Sequence, residues 1–177
     1  MLDELAKKYA LLKGDFVLSS GKRSSYYFDG RLLTLHPQGL YLITKEFLKE
    51  MRKEDAQSVG GPIIGAAPIV SGICLLSHLE GKPVYGFLVR KEPKSHGTRK
   101  LIEGHIKGRV AIVDDVITTG GSILRAIDIC EEAGGEVVLV MTVLDRLEGG
   151  SEEIKRRGYK FKSLLVMEGE EIKPLGT

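Results

Sequence analysis

Val110-Ala-Ile-Val-Asp-Asp-Val-Ile-Thr-Thr-Gly-Gly-Ser122 is the stretch that decides the fold. Val110 to Val113 form a short apolar run of the kind that lies buried as a parallel strand. Asp114 and Asp115 follow at its carboxyl end. Thr118 to Ser122 then turn the chain into a helix, Ile123 to Ala133, which Gly134 can end in a left-handed cap. In open α/β sheets, ligands bind where such strands end. The turn offers backbone N–H groups, three hydroxyls and two glycines that permit close approach. The helix N-terminus adds partial positive charge, so the turn suits a phosphate. Like charges repel, so the acid pair suits hydroxyls or a metal instead. A phosphate beside vicinal hydroxyls describes a ribose 5-phosphate. The stretch is neither a Walker loop, which needs Gly-Lys-Ser/Thr, nor a dinucleotide fingerprint.

Outward from this stretch, strands and helices alternate, which predicts an α/β fold with a mainly parallel central sheet and helices on both faces. The predicted strands are a short one ending at Val59-Gly60-Gly61-Pro62, then Val84 to Val89, Val137 to Leu144 and Phe161 to Val166 as the last. The predicted helices run from Pro37 to about Met51, from about Pro68 to Leu79, and from a Ser151 cap to Arg157. Arg90 to Lys107 is a long polar segment without apolar periodicity, and loops of that length in a compact domain are usually lids or disordered. The first 35 or so residues break the alternation. Leu2, Leu5, Ala6, Tyr9 and Leu12 recur at helical spacing over residues 2–12. Phe16 to Leu18 and Tyr26 to Phe28 read as two strands around the polar turn Ser19 to Ser25. Together these predict a small N-terminal hood over the edge or mouth of the sheet.

The chain of 177 residues is expected to be one domain with a real core. Its formal net charge of +2 gives no reason to expect nucleic acid or an anionic membrane as partner. No apolar run approaches the roughly 20 residues of a membrane helix, and the acidic start Met1-Leu-Asp-Glu4 is unlike a signal peptide. A cytoplasmic protein is therefore expected. Cys74 and Cys130 sit in apolar helical patterns and read as buried, reduced and inert. His36, His78 and His105 share no ligand spacing, so no zinc site is expected. Asn is absent while Lys and Glu are plentiful, a bias of thermophile proteins.

The 110–122 stretch resembles the PRPP-binding signature of the type I phosphoribosyltransferases, almost residue for residue. That resemblance implies the family's fold over residues 1–177, with Asp114 and Asp115 on the ribose 2- and 3-hydroxyls. The PRPP site would comprise Asp114, Asp115, Val116, Ile117, Thr118, Thr119, Gly120, Gly121 and Ser122. Three further segments narrow the likeness to orotate phosphoribosyltransferases. Arg90-Lys91-Glu92-Pro93-Lys94-Ser95-His96-Gly97 is similar to their catalytic loop. It implies Lys94 as the main catalytic lysine, with Arg90, Lys91 and His96 on pyrophosphate. Catalytic roles would fall to Lys94, His96, Asp114 and Asp115. Phe16 to Asp29 is similar to the segment whose aromatics flank the pyrimidine, which implies Tyr27 and Phe28 there and Tyr26 in the core. Leu144-Asp-Arg-Leu-Glu-Gly-Gly150 matches the segment whose arginine reads orotate's carboxylate. The implied orotate site is Tyr27, Phe28, Thr118 and Arg146, and a guanidinium matches a carboxylate in bidentate fashion.

Two positions depart from the pattern. Ser19 stands where many relatives carry a PRPP-binding lysine, leaving that contact to Lys22 or Arg23. Gly60 to Pro68 looks like the family's pyrophosphate-binding turn, but Gly65 stands where some relatives have a lysine. The resemblance implies transfer of a phosphoribosyl group from PRPP to orotate in pyrimidine synthesis. Mg2+ would be held mainly through PRPP. It also implies a homodimer in which the Arg90–Lys107 loop is shared across subunits. The competing readings are a phosphoribosyltransferase for uracil or a purine, and a PRPP-sensing regulator.

Overall fold

The Val110 run is the spine of a seven-stranded sheet. A computed structural model describes residues 1–17, 21, 23–92 and 101–175. Along the sheet the strands lie in the order β5 (Ile102–Gly104), β4 (Tyr85–Val89), β3 (Ser58–Pro62), β6 (Arg109–Ile117), β7 (Glu136–Asp145), β8 (Phe161–Glu168) and β9 (Glu171–Pro174). The five inner strands run parallel, and the edge strands β5 and β9 are antiparallel.

Period-two burial divides β6 between two cores. Ala111 and Val113 pack under α3 (Pro37–Lys53) and α4 (Ala66–Leu79), with Ile43, Phe47, Met51, Ile69 and Ile73. Val110 and Ile112 face α5 (Gly121–Glu132) and α6 (Gly150–Arg156), with Ile123, Ala126, Ile127 and Ile154. A strand covered on both faces has no polar side to show, which is why 110–113 reads as continuous apolar sequence.

The chain first builds β3, α4 and β4 toward one edge. It then returns to lay β6 on the other side of β3 and builds β7 and β8 away from it. The strand order therefore reverses between β3 and β6, and the crevice at their carboxyl ends is where ligands of such sheets bind.

The first 35 residues form the hood. β1 (Leu11–Val17) and β2 (Arg23–Phe28) make a separate antiparallel hairpin. Tyr26 Oη donates to Gly169 O at 2.8 Å and Ser25 Oγ to Glu170 Oε1 at 2.5 Å, tying the hairpin to the β8–β9 turn. α2 (Gly30–Thr34) follows, with Asp29 as its N-cap, accepting from Arg31 N–H at 3.1 Å.

Several boundaries differ from the sequence expectation. The N-terminal helix does not reach residue 12: α1 (Leu2–Leu5) continues as a π-helical turn to Ala10 and then stops. Leu11 pairs with Phe28, and Asp29 N–H donates to Ala10 O at 2.9 Å, so the hairpin takes the backbone groups a longer helix needs. Arg23 to Ser25, expected in a turn, belong to β2 for the same reason. Ile102–Gly104 is a strand inside the segment read as structureless, because Phe87, Leu88 and Val89 offer it a free sheet edge. Phe161 does not begin the last strand: β9 adds a short edge, with Ile172 as its buried anchor. Ser151 is not a cap. Gly149, at φ +96°, caps α6, Ser151 lies buried within the first turn, and the helix ends at Arg156.

Candidate active site

Three strand ends and the hood converge at the β3–β6 crevice. At the end of β6, Asp114 is 5% exposed and Asp115 half-buried. Asp114 Oδ1 accepts from Asp115 N–H at 3.0 Å, and Asp115 Oδ1 from Val116 N–H at 2.8 Å. Burial pushes the Asp114 carboxyl well above the ordinary carboxylate value, and the neighbouring Asp115 adds to the rise. Burial raises Asp115 as well, against the hydrogen bonds it accepts.

Glycines frame this pair on two sides. A Cβ at Gly65, in the turn after β3, would lie 2.3 Å from Asp114 Oδ1 and 2.4 Å from Asp115 Oδ1. A Cβ at Gly30, at the start of α2, would lie 2.7 Å from Asp115 Oδ2. Only glycine lets these backbones come so close.

The phosphate-type turn follows. Gly120 caps α5 in the left-handed region at φ +82°, and no side chain caps that helix. The N–H groups of its first turn thus lack intrahelical partners and point outward for an anion. Gly150 N–H donates to Thr118 O at 2.9 Å, and a Cβ at Gly150 would meet Thr118 O at 2.5 Å. The Gly149-Gly150 pair at the end of β7 therefore packs directly on the Thr118–Gly121 turn.

Arg146 N–H donates to Ile117 O at 3.0 Å, fixing this arginine beside β6. Its side chain is 12% exposed, and Nε lies 3.0 Å from Glu148 Oε1. Asp145 makes no use of that guanidinium; its Oδ1 accepts from Leu147 N–H at 2.8 Å.

Two cavities meet at Asp115. One, of 1030 Å³, is lined by Tyr27 and Phe28 from the hood, by Thr118 and Thr119, and by Arg146 and Glu148. The other, of 830 Å³, is lined by Ile63, Ile64 and Gly65 and by Arg90, Lys91 and Glu92. Asp115 and Arg31 line both. Tyr27 is 36% exposed, while Phe28, at 4%, belongs to the core and shows only part of its ring to the cavity. Tyr26 packs half-buried against the same core.

The basic segment starts at this crevice, where Arg90 N–H donates to Leu101 O at 2.8 Å, and its far end lies at the start of β3, where Lys107 N–H donates to Ser58 Oγ at 2.7 Å. Arg90 Nη1 lies 3.6 Å from Glu103 Oε1. Lys94 and His96, like Ser19 and Lys22, lie outside the described residues. Arg23 is on β2, 3.6 Å from Asp15.

Of the predicted stretch, Asp115, Val116, Thr118 and Thr119 line the 1030 Å³ cavity with Tyr27, Phe28 and Arg146, and Gly121 and Ser122 line a separate cavity of 290 Å³ with Arg90 and Lys91. Asp114 and Gly120 are buried behind them, and Ile117 does not face the site: it packs in the core with Ile123 and Ile127. Sequence reasoning did not single out Gly30 or Arg31. Their signal was an Asp-Gly-Arg run after the hairpin, too short to mark a helix. Among the described residues no cluster of three His, Cys, Asp or Glu side chains is poised for a metal. Two adjacent carboxylates that form no ion pair among the described residues, with only Arg31 nearby across the cavity, do suit hydroxyls and a divalent cation whose remaining ligands come from a bound polyanion. Cys130 is buried, its thiol pushed up to about 12 by burial, and Cys74 is half-buried and raised likewise, so neither is a poised nucleophile.

The phosphoribosyl transferase domain family matches residues 76–164, which hold β6, its acid pair and the following turn. The orotate phosphoribosyltransferase of Aquifex aeolicus is 43% identical, over 94% of this chain and 93% of its own length. The crystal structure of the Mycobacterium tuberculosis orotate phosphoribosyltransferase in complex with Fe(III) dicitrate superposes with a TM-score of 0.83. It is 39% identical over 94% of each chain. The same enzyme in complex with PRPP gives 0.78 at 36% identity, over 93% of each chain. With two-thirds of each length far exceeded and the motifs in one crevice, the chain belongs to the orotate phosphoribosyltransferase family.

Proposed function

We propose that this protein transfers the phosphoribosyl group of PRPP to orotate, giving orotidine 5′-monophosphate and pyrophosphate, as one phosphoribosyltransferase domain spanning residues 1–177. The observation that carries this reading is Arg146. A nearly buried guanidinium lines the same cavity as Thr118, Thr119 and Asp115, on the side away from the basic segment. Orotate differs from uracil by one carboxylate, and a guanidinium reads that group in bidentate fashion. Uracil or a purine gives Arg146 no anion to meet, which disfavours those bases.

In this reading Thr118 to Ser122 hold the 5-phosphate on open N–H groups and hydroxyls. Asp114 and Asp115 accept from the ribose 2- and 3-hydroxyls. Those hydrogen bonds offset the burial that raises the acids. Tyr27 and the exposed part of Phe28 stack on the pyrimidine. Breaking the bond from C1 to pyrophosphate builds positive charge on the ribose and negative charge on the leaving group. Arg90, Lys91, Lys94 and His96 meet the second with fixed charge, and Asp114 and Asp115 lie near the first. Orotate's ring nitrogen is readily anionic, so no strong protein base is needed. Mg2+, bound chiefly through PRPP, supplies charge neutralisation on the pyrophosphate.

The protein is further proposed to be a cytoplasmic homodimer whose Arg90–Lys107 loop serves the neighbouring subunit. Tyr41 on α3 and Leu75 and Leu79 on α4 are exposed apolar side chains that a second copy could cover. Among the described residues no helix is long and apolar enough to cross a membrane.

The test is orotate absorbance followed with purified protein, PRPP and Mg2+, with uracil and adenine as parallel substrates. PRPP-dependent loss of orotate alone is expected. Turnover of another base instead refutes the Arg146 assignment. PRPP binding without any turnover would favour a regulator.

A further inference from the structure

Arg31 stands at the one place where both cavities are lined by the same side chains. Its guanidinium is held from below. Nε donates to Asp29 Oδ1 at 2.9 Å and Nη2 to Asp29 Oδ2 at 3.0 Å, the two-armed pairing that fixes a guanidinium plane. Asp29 is itself fixed, because Oδ1 also accepts from Arg31 N–H as the cap of α2. The helix is seated in turn by Gly30, whose backbone lies against Asp115.

Two of the five guanidinium N–H groups are thus spent on orientation and three remain for another partner. The side chain is 49% exposed, so those donors are reachable. Around the 830 Å³ cavity, Arg31, Arg90 and Lys91 face Asp115 and Glu92. Arg31 is the only cation among the described lining residues that comes from the hood rather than from the basic segment. A polyanion seated there would otherwise meet Asp115 on that flank with no cation between them.

We propose that Arg31 is a further substrate-binding residue, which contacts the pyrophosphate of PRPP, and the released pyrophosphate, from the hood side of the junction, with Asp29 as its positioning residue. The assignment rests on the PRPP reading above and deepens it. It gives the rigid fold a cation for the diphosphate that is in place independently of the Arg90–Lys107 segment. Preorganised charge of this kind costs no reorganisation when the leaving group departs.

The test is titration calorimetry of inorganic pyrophosphate with Mg2+ on the intact protein, on Arg31→Gln and on Arg31→Lys, with KM for PRPP and for orotate measured in parallel. An exposed ion pair contributes little to stability, so both variants are expected to unfold near the wild-type temperature. Arg31→Gln is expected to weaken pyrophosphate and raise KM for PRPP by about tenfold, the loss of one charge-assisted hydrogen bond. KM for orotate should stay within about twofold. Arg31→Lys should lose part of that affinity, because an ammonium cannot keep both Asp29 bonds and reach the ligand. Wild-type pyrophosphate affinity in either variant overturns the assignment. So does a rise in KM for orotate alone, which would place the guanidinium in the base cavity. Arg31-dependent pyrophosphate binding by a protein that leaves orotate untouched would refute the orotate reading and leave this one standing.

Discussion

The fit of the acid pair between two glycines makes Gly65→Ala the sharpest probe of the site. The added Cβ would stand 2.3 Å from Asp114 Oδ1 and 2.4 Å from Asp115 Oδ1, whereas ordinary contact begins near 3.4 Å. One methyl group therefore asks the carboxylates and the turn to separate by about an ångström. Asp114 has nowhere to go, being buried and bonded to Asp115 N–H. The displacement falls on the acids proposed to hold the ribose and on the turn proposed to face the pyrophosphate. A misplacement of that size costs on the order of 100-fold in rate, roughly 2.7 kcal/mol. The expected result is a loss of about that factor in kcat/KM for PRPP. Far-ultraviolet circular dichroism should be unchanged, since Gly65 lies before α4 rather than in the core. Gly30→Ala presses on Asp115 alone, with a Cβ 2.7 Å from Oδ2, and should cost less. The assay is orotate absorbance at fixed saturating orotate and varied PRPP. If Gly65→Ala keeps kcat/KM within about twofold of wild type, a methyl is tolerated there and the acids do not need their present positions.

Four further outcomes test other parts of the reading. Arg146→Ala should raise KM for orotate by about tenfold or more while pyrophosphate affinity is retained; equal damage to both removes Arg146 from the base cavity. Lys94→Ala should lower kcat far more than it weakens PRPP binding, because a closing loop acts late, and an unchanged kcat removes Lys94 from the mechanism. Asp114→Asn should abolish activity yet raise the unfolding temperature near neutral pH. The native carboxyl holds its proton above the ordinary value near 3.8, so the native state binds more protons than the unfolded chain and wild-type stability falls as pH rises from there through the raised value. The advantage of the asparagine should therefore shrink toward pH 4 and below; an advantage independent of pH contradicts the burial argument. Tyr26→Phe removes the 2.8 Å bond to Gly169 O, worth about 1 kcal/mol. It should raise KM for orotate severalfold with KM for PRPP unchanged, by loosening the strand that carries Tyr27 and Phe28.

What could be read in the sequence, and what could not, follows from how locally each feature is determined. The β6 run, its acids, its glycine turn and α5 are set by neighbours in the chain and lie in the predicted order, although the strand runs on through the acids to Ile117 and the helix begins at Gly121, two residues before the expected Ile123. The same holds for α3, whose apolar stripe and proline start define it over 37–53. The misread segments are set by partners far away in sequence. Leu12 ends a helical spacing that starts at Leu2, yet Tyr27 claims it as strand, as Phe28 does Leu11. Ile102–Gly104 and Glu171–Pro174 are strands only because β4 and β8 leave open edges beside them. The site divides along the same line. Residues that touch a ligand through their own backbone or charge announced themselves as a motif. Gly30 did not, and Gly65 stood out only as a departure from the pyrophosphate-binding turn, because their importance lies in the carboxylates that a Cβ would strike. Arg31 did not either, because one arginine after a hairpin is commonplace until Asp29 orients it and both cavities reach it. The acid pair itself supplies the last step. Burial raises the Asp114 carboxyl at a cost to the native state, and the hydrogen bonds it accepts from Asp115 N–H and the Ser122 side chain only partly offset that rise. Stability alone would favour a neutral residue there, and the ribose hydroxyls or cation proposed for the site would account for a carboxylate instead.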